Sequence, residues 1–225
     1  MSRYRSAVRH LYLHGFASSP LSRKAQYLRA VLERAGLELE IPDLNVPSFE
    51  HMTITAMVDA ALETIGDGPC TLWGSSLGGF VAANVARKRP QAIERLLLLA
   101  PAMEFPTAFP PRVQEAVKLW EAGGSWPVFH HKAKAEVPMG PELYRDCANW
   151  QPMPRVSQPV WVLGASYDGV IPRSTIERWA ALHPQAQLEW IDATHEMIED
   201  LPGVALKCCR ALGLPLPHPL PPSPV

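Results

Sequence analysis

A serine hydroxyl becomes a useful nucleophile only when a base takes its proton and a third group holds that base in place. The chemistry open to this chain therefore turns on one serine, one histidine and one carboxylate. Gly74-Ser75-Ser76-Leu77-Gly78 matches G-x-S-x-G, and it falls where an apolar run at 70–73 gives way to a helical pattern over 77–89. That strand–turn–helix setting is what a nucleophile elbow demands. Ser76 must adopt a strained backbone to lift its Oγ above the strand end, and Gly74 and Gly78 let strand and helix close up around it. The helix N-terminus also aims backbone N–H groups at developing negative charge. Ser75 has the wrong phase, so Ser76 is the candidate nucleophile.

Eight histidines compete for the role of base. His195 stands in Asp192-Ala193-Thr194-His195-Glu196, after the last strand pattern and before the last helical one. In the order Ser, acid, His, that is where the base belongs. His10 and His14 fall in the first strand region, His183 at a helix end and His218 in the tail; His130 and His131 read as polar surface. The acid is Asp168, in Gly164-Ala165-Ser166-Tyr167-Asp168-Gly169, after the run 160–163 and before a helix that Pro172 starts well. Asp192 is its competitor, but an Asp three residues from the base more often shapes the local turn. An oxyanion hole needs two N–H donors: Leu77 supplies one, and Phe16, in His14-Gly15-Phe16, is the candidate for the other, with Ala17 second. His14 reads as a brace for that loop.

Such a set attacks an acyl carbonyl, so esters, thioesters and amides are all candidate substrates, and the motifs do not separate them. The same residues on a non-catalytic receptor or scaffold are the alternative outside enzymes. Metal ligation is not supported, because His195-Glu196 is followed at the zinc-binding position by Glu199, not a second histidine. Phosphate-cradling glycine loops are missing, and no cofactor is implied. Arg87-Lys88-Arg89 could meet an anionic substrate but is explained as a cationic helix end.

Elements that could position these residues run along the whole chain. Short apolar runs at 8–13, 39–41, 70–73, 95–99, 160–163 and 188–191 alternate with helical patterns at 23–35, 53–65, 77–89, 172–182 and 204–212. Six strands separated by helices predict an α/β fold with a mostly parallel sheet covered on both faces. The candidate residues then all fall on loops at the carboxyl ends of strands. Residues 101–155 break the alternation and are rich in Pro and aromatics. They are expected to form a lid or cap, with Phe105, Phe109, Trp120, Trp126 and Phe129 as candidate acyl-binding residues; a plain connection packed on the sheet edge is the alternative.

With 225 residues, 47% hydrophobic and 19% charged, the chain has the composition of a soluble globule, expected as one domain over 1–212. Its net charge of −1 lacks the overall footprint of a dedicated nucleic-acid binder. No apolar run reaches the length of a membrane span. Arg3, Arg5 and Arg9 are not followed by the apolar stretch of a secretory signal. Four irregularly spaced cysteines suggest reduced thiols and a cytoplasmic setting. Residues 213–225 carry six of the 24 prolines and read as an extended, flexible tail.

Tyr12-Leu13-His14-Gly15-Phe16-Ala17-Ser18-Ser19-Pro20, the elbow Gly74-Ser75-Ser76-Leu77-Gly78-Gly79, and the late Asp168 and His195 resemble the α/β-hydrolase superfamily. Within it the chain is similar to the small YqiA-like bacterial esterases, from about residue 11 to 212. That resemblance implies hydrolysis of acyl esters or thioesters without a cofactor, the substrate being a small molecule.

Overall fold

The computed structural model describes residues 8–105, 111–130, 133–215 and 217–221, with 111–113 described by backbone alone. The first half runs β1 (Arg9–Leu13), α1 (Arg23–Arg34), β2 (Leu39–Glu40), α2 (Ile54–Ile65), β3 (Cys70–Ser75), α3 (Leu77–Lys88) and β4 (Ile93–Leu99). An insertion follows, with α4 (Pro111–Glu121), β5 (Trp126–His130), β6 (Ala135–Met139) and α5 (Glu142–Cys147). The chain closes with β7 (Val160–Ala165), α6 (Arg173–Ala181), β8 (Ala186–Ile191) and α7 (Leu201–Leu212).

Six strands form one sheet in the order β2-β1-β3-β4-β7-β8, every neighbouring pair parallel. Period-2 alternation divides their side chains between two cores. Leu11, Leu13, Leu72, Leu96, Leu98, Val160 and Val162 face one core with α2, α3 and α6. Tyr12, Trp73, Leu97, Leu99, Trp161 and Leu163 face the other with α1 and α7. Apolar runs without alternation are thus the mark of strands buried on both faces.

Local signals set the helix ends. Thr53 Oγ1 accepts the Ala56 N–H at 3.0 Å to cap α2, and Gly66, at φ 60°, ends it. Asp200 caps α7 through the Gly203 N–H at 2.9 Å. The cationic end of α3 is structural: Lys88 pairs with Asp59 and Arg89 donates to the Gly66 carbonyl.

The insertion holds strands as well as helices. β5 and β6 form an antiparallel hairpin in which Pro127 stands opposite Pro138. The Trp120 indole N–H donates to the Met139 carbonyl at 2.8 Å, joining α4 to the hairpin. Asp146 on α5 accepts the Thr55 N–H and hydroxyl, both at 2.7 Å, joining the insertion to α2. At its root, Glu104 accepts from Arg178 and Thr175 of α6.

His130 is buried against Phe49, not on the polar surface expected of it. All four cysteines are buried free thiols. In the tail, the Leu214 N–H donates to the Cys209 carbonyl, Leu220 packs against the α1/α7 core and Arg34 donates to the Pro219 carbonyl. Among the described residues no helix is long and apolar enough to cross a membrane.

Candidate active site

Strand order reverses between β1 and β3: the chain moves outward from β1 to β2, then returns to the other side of β1. Such a switch point opens a crevice at the carboxyl ends of the strands. The loop after β1 and the turn after β3 meet there. Ser76 has φ 53° and ψ −121°, a conformation L residues avoid, so the strain expected of an elbow is present. Backbone hydrogen bonds hold it in place. The Ser76 N–H donates to the Leu99 carbonyl at 3.0 Å, and the Ser76 carbonyl accepts from Ala102 at 2.9 Å and Gly79 at 2.9 Å. A Cβ on Gly74 would stand 2.4 Å from the Gly78 carbonyl oxygen, and one on Gly78 2.1 Å from that of Leu13. Neither position admits a side chain without moving backbone.

Ser76 Oγ lies 2.9 Å from His195 Nε2, and His195 Nδ1 lies 2.8 Å from Asp168 Oδ2. Proton positions follow from the partners. Asp168 Oδ1 accepts the N–H groups of Val170 and Ile171, each at 2.8 Å. Burial alone would raise the pKa of this carboxyl, whose side chain is 3% exposed. The hydrogen bond and charge of His195, with the two backbone N–H groups, outweigh burial and hold the pKa below the usual carboxylate range. An ionised Asp168 can only accept, so Nδ1 carries the imidazole proton and Nε2 accepts from the Ser76 hydroxyl. Asp192, the competing acid, is exposed and makes no such contact among the described residues.

His14 braces the loop after β1, as its sequence setting suggests. The Leu44 N–H donates to His14 Nε2 at 2.9 Å, so the proton sits on Nδ1, which donates to the Gly15 carbonyl at 2.9 Å. Asp43 Oδ1 lies 3.4 Å from Nε2 on the same side of the ring. The Gly15 carbonyl therefore points at His14, and in a trans peptide the Phe16 N–H points the opposite way. Gly15 itself packs on Ser76: a Cβ there would lie 3.2 Å from Ser76 Cβ. Among the described residues neither Phe16 nor Leu77 has a backbone partner for its N–H, which suits both to receive an oxyanion.

A cavity of about 210 Å³ opens beside Ser76, with Phe16 and Leu77 in its wall. Of the candidate acyl-binding residues, Phe105, Trp120 and Trp126 line it. Phe129 does not: it is 51% exposed, because alternation along β5 turns it away from the face that carries Trp126. Phe109 lies outside the described residues. Sequence reasoning missed Met103, Met139, Leu143, Tyr144 and Thr175, which also line the cavity. The loop after β7 that carries Asp168 also contributes Val170 and Ile171. Lys24 on α1 is 8% exposed, and burial brings its pKa down to about 8 against the attraction of Glu196 and Asp168. No cluster of three or more His, Cys, Asp or Glu among the described residues could hold a metal ion.

Compared with solved structures, the chain is similar to mouse alpha/beta hydrolase domain-containing protein 10, with 18% identity, a TM-score of 0.73, and 94% of this chain and 92% of that one covered. It is similar to the monoacylglycerol lipase of Paleococcus ferrophilus at 17% identity and a TM-score of 0.73, covering 94% and 98%. Est1E from Butyrivibrio proteoclasticus matches at 15% identity and 0.72, covering 92% and 88%. At these identities the likeness is one of fold. No curated protein matches the sequence. The all-parallel sheet, the elbow after β3 and these neighbours make the fold that of the α/β hydrolases. The model of one family matches residues 9–201, and the chain accordingly belongs to the uncharacterised protein family UPF0227.

Proposed function

We propose that the protein is a serine hydrolase that cleaves carboxylic esters, acyl thioesters included, through an acyl-enzyme on Ser76. The observation carrying this reading is the line of two hydrogen bonds, Ser76 to His195 at 2.9 Å and His195 to Asp168 at 2.8 Å, at the mouth of an apolar cavity. As the Ser76 Oγ–carbon bond forms, the hydroxyl proton passes to His195 Nε2. Asp168 stabilises the resulting imidazolium, and the N–H groups of Phe16 and Leu77 receive the oxyanion. Collapse breaks the bond to the leaving oxygen or sulfur, which takes the proton from Nε2. Water then adds to the acyl carbon while its proton moves to Nε2. Collapse of that second adduct returns the proton to Ser76 and frees the carboxylic acid.

The name of one neighbour lends support of a general kind, since a monoacylglycerol lipase shares this fold. The test is labelling by a fluorophosphonate with peptide mapping, followed by panels of acyl esters and acyl thioesters. Labelling confined to Ser76, lost in Ser76→Ala, with turnover of at least one panel, is expected. A folded protein that neither labels nor turns over any ester would refute the reading and leave a receptor or scaffold.

A further inference from the structure

The cavity beside Ser76 carries more information than that an acyl group could enter it. Its insertion wall is made by Trp120, Trp126, Met139, Leu143 and Tyr144. Trp120 is fixed from several directions. It is 7% exposed, its indole N–H is spent on the Met139 carbonyl at 2.8 Å, and Trp126 meets it edge-on at 6.1 Å. Tyr144 lies 5.8 Å away on another side, and Ala116 packs beneath it. A ring held in this way is a wall with a definite position, not a flexible flap. The hydroxyl of Thr175, also in the lining, is engaged by Glu104 and Arg178. No Asp, Glu, Lys, Arg or His is among the described residues of the lining.

We infer that this cavity takes an uncharged hydrocarbon acyl group of about six to eight carbons, and that Trp120 sets the upper limit. Size follows from comparison. An apolar cavity of about 150 Å³ holds benzene, and the 210 Å³ here exceeds it by about the liquid volume of two waters, room for roughly two carbons more than a six-carbon ring. Charge follows from the described lining residues, none of which offers an ionised acyl terminus a charged partner once it leaves water. The inference rests on the hydrolase reading for the word acyl, but the size limit belongs to the cavity itself.

Two measurements separate the two ideas. The first is kcat/KM for 4-nitrophenyl esters from acetate to palmitate on the wild type, Trp120→Ala and Leu143→Ala. A maximum at six to eight carbons is expected, with a fall of about tenfold or more by twelve. Trp120→Ala should raise the twelve-to-eight-carbon ratio by about tenfold or more, and the milder Leu143→Ala should raise it less. The hemisuccinate ester should fall about a hundredfold below the pentanoate. The second is binding of octanol and hexadecanol to Ser76→Ala, followed by tryptophan fluorescence, with octanol the tighter. Alcohol binding with that preference in a protein that hydrolyses nothing upholds the cavity limit and refutes the hydrolase reading. An active enzyme with a flat or palmitate-centred profile overturns the limit and leaves the hydrolase standing. Unchanged ratios in both folded variants overturn the role of Trp120.

Discussion

Adjacent serines on either side of the strand end should respond oppositely to the same substitution. Ser76 sits at φ 53°, while Ser75 closes β3 in regular backbone. Comparing Ser76→Gly with Ser76→Ala cancels the lost hydrogen bond to His195, because both variants lack the hydroxyl. What remains is backbone. Strain of this kind costs about 1–3 kcal/mol in a residue with a Cβ, and glycine escapes it. Glycine in turn costs about 0.5–1 kcal/mol in the entropy of the unfolded chain. Ser76→Gly should therefore be more stable than Ser76→Ala by up to about 2.5 kcal/mol, or up to about 5–10 °C in Tm for a chain of this length. At Ser75 only the entropic cost applies, and the lost hydrogen bond with Tyr12 again cancels. Ser75→Gly should be less stable than Ser75→Ala by about 0.5–1 kcal/mol. Urea titration or scanning calorimetry of the four purified variants reads both signs. A Ser76→Gly variant no more stable than Ser76→Ala would refute the idea that elbow strain is stored in the folded protein.

Asp168→Asn should lower kcat by about 10⁴, the loss found when the acid of a protease triad is made neutral, whereas Asp192→Asn should keep most activity; steady-state kinetics on one ester ranks them, and the reverse order would reassign the acid. Asp168 also carries a pH signature. Its pKa is depressed on folding, so its contribution to stability is complete above the unfolded value near 4 and is lost as pH falls through the folded one. Acid titrations of unfolding should show the wild type losing more stability below about pH 4 than Asp168→Asn does. Gly78→Ala places a Cβ 2.1 Å from the Leu13 carbonyl oxygen and should cost about 3 kcal/mol or more, beyond ordinary overpacking, with loss of fluorophosphonate labelling; a variant as stable and reactive as wild type would mean the β1–α3 approach is looser than described.

Most of the sheet was legible because a strand buried on both faces must be apolar throughout, and Gly or Pro marks its ends. Strand bounds moved outward at β3, β4, β7 and β8, where Gln187 looks like loop but still pairs and Glu94 falls at a register shift between β3 and β4. The β5–β6 hairpin was not legible. Pro127 and Pro138 lack the N–H a ladder uses, and a sequence reader demotes such segments. They are tolerated because the ribbon has only two strands. Ser76, Asp168 and His195, which the fold brings within hydrogen-bond distance in a line, could be singled out as candidates because each follows a strand and the chain order is constrained. Cavity residues were harder, since Trp126 and Phe129 look alike in sequence and differ only in which side of β5 they occupy. Met139 and Leu143 reach the site through tertiary folding of the insertion, which no local pattern encodes.

The four buried thiols give the molecule built-in clocks for opening. Cys70 lies on β3 in the middle of the sheet, Cys147 on α5 in the insertion, and Cys208 and Cys209 on α7 across the sheet. Burial pushes the thiols of Cys70 and Cys147 up to about 12, and that of Cys208 upward as well. A maleimide or disulfide reagent that needs thiolate must wait for the surrounding structure to part. Each cysteine's alkylation rate then measures how often its own region opens, and mass spectrometry reads all four in one tube. If the insertion breathes separately from the sheet, Cys147 is modified well before Cys70. If all four react together, insertion and sheet open as one cooperative unit.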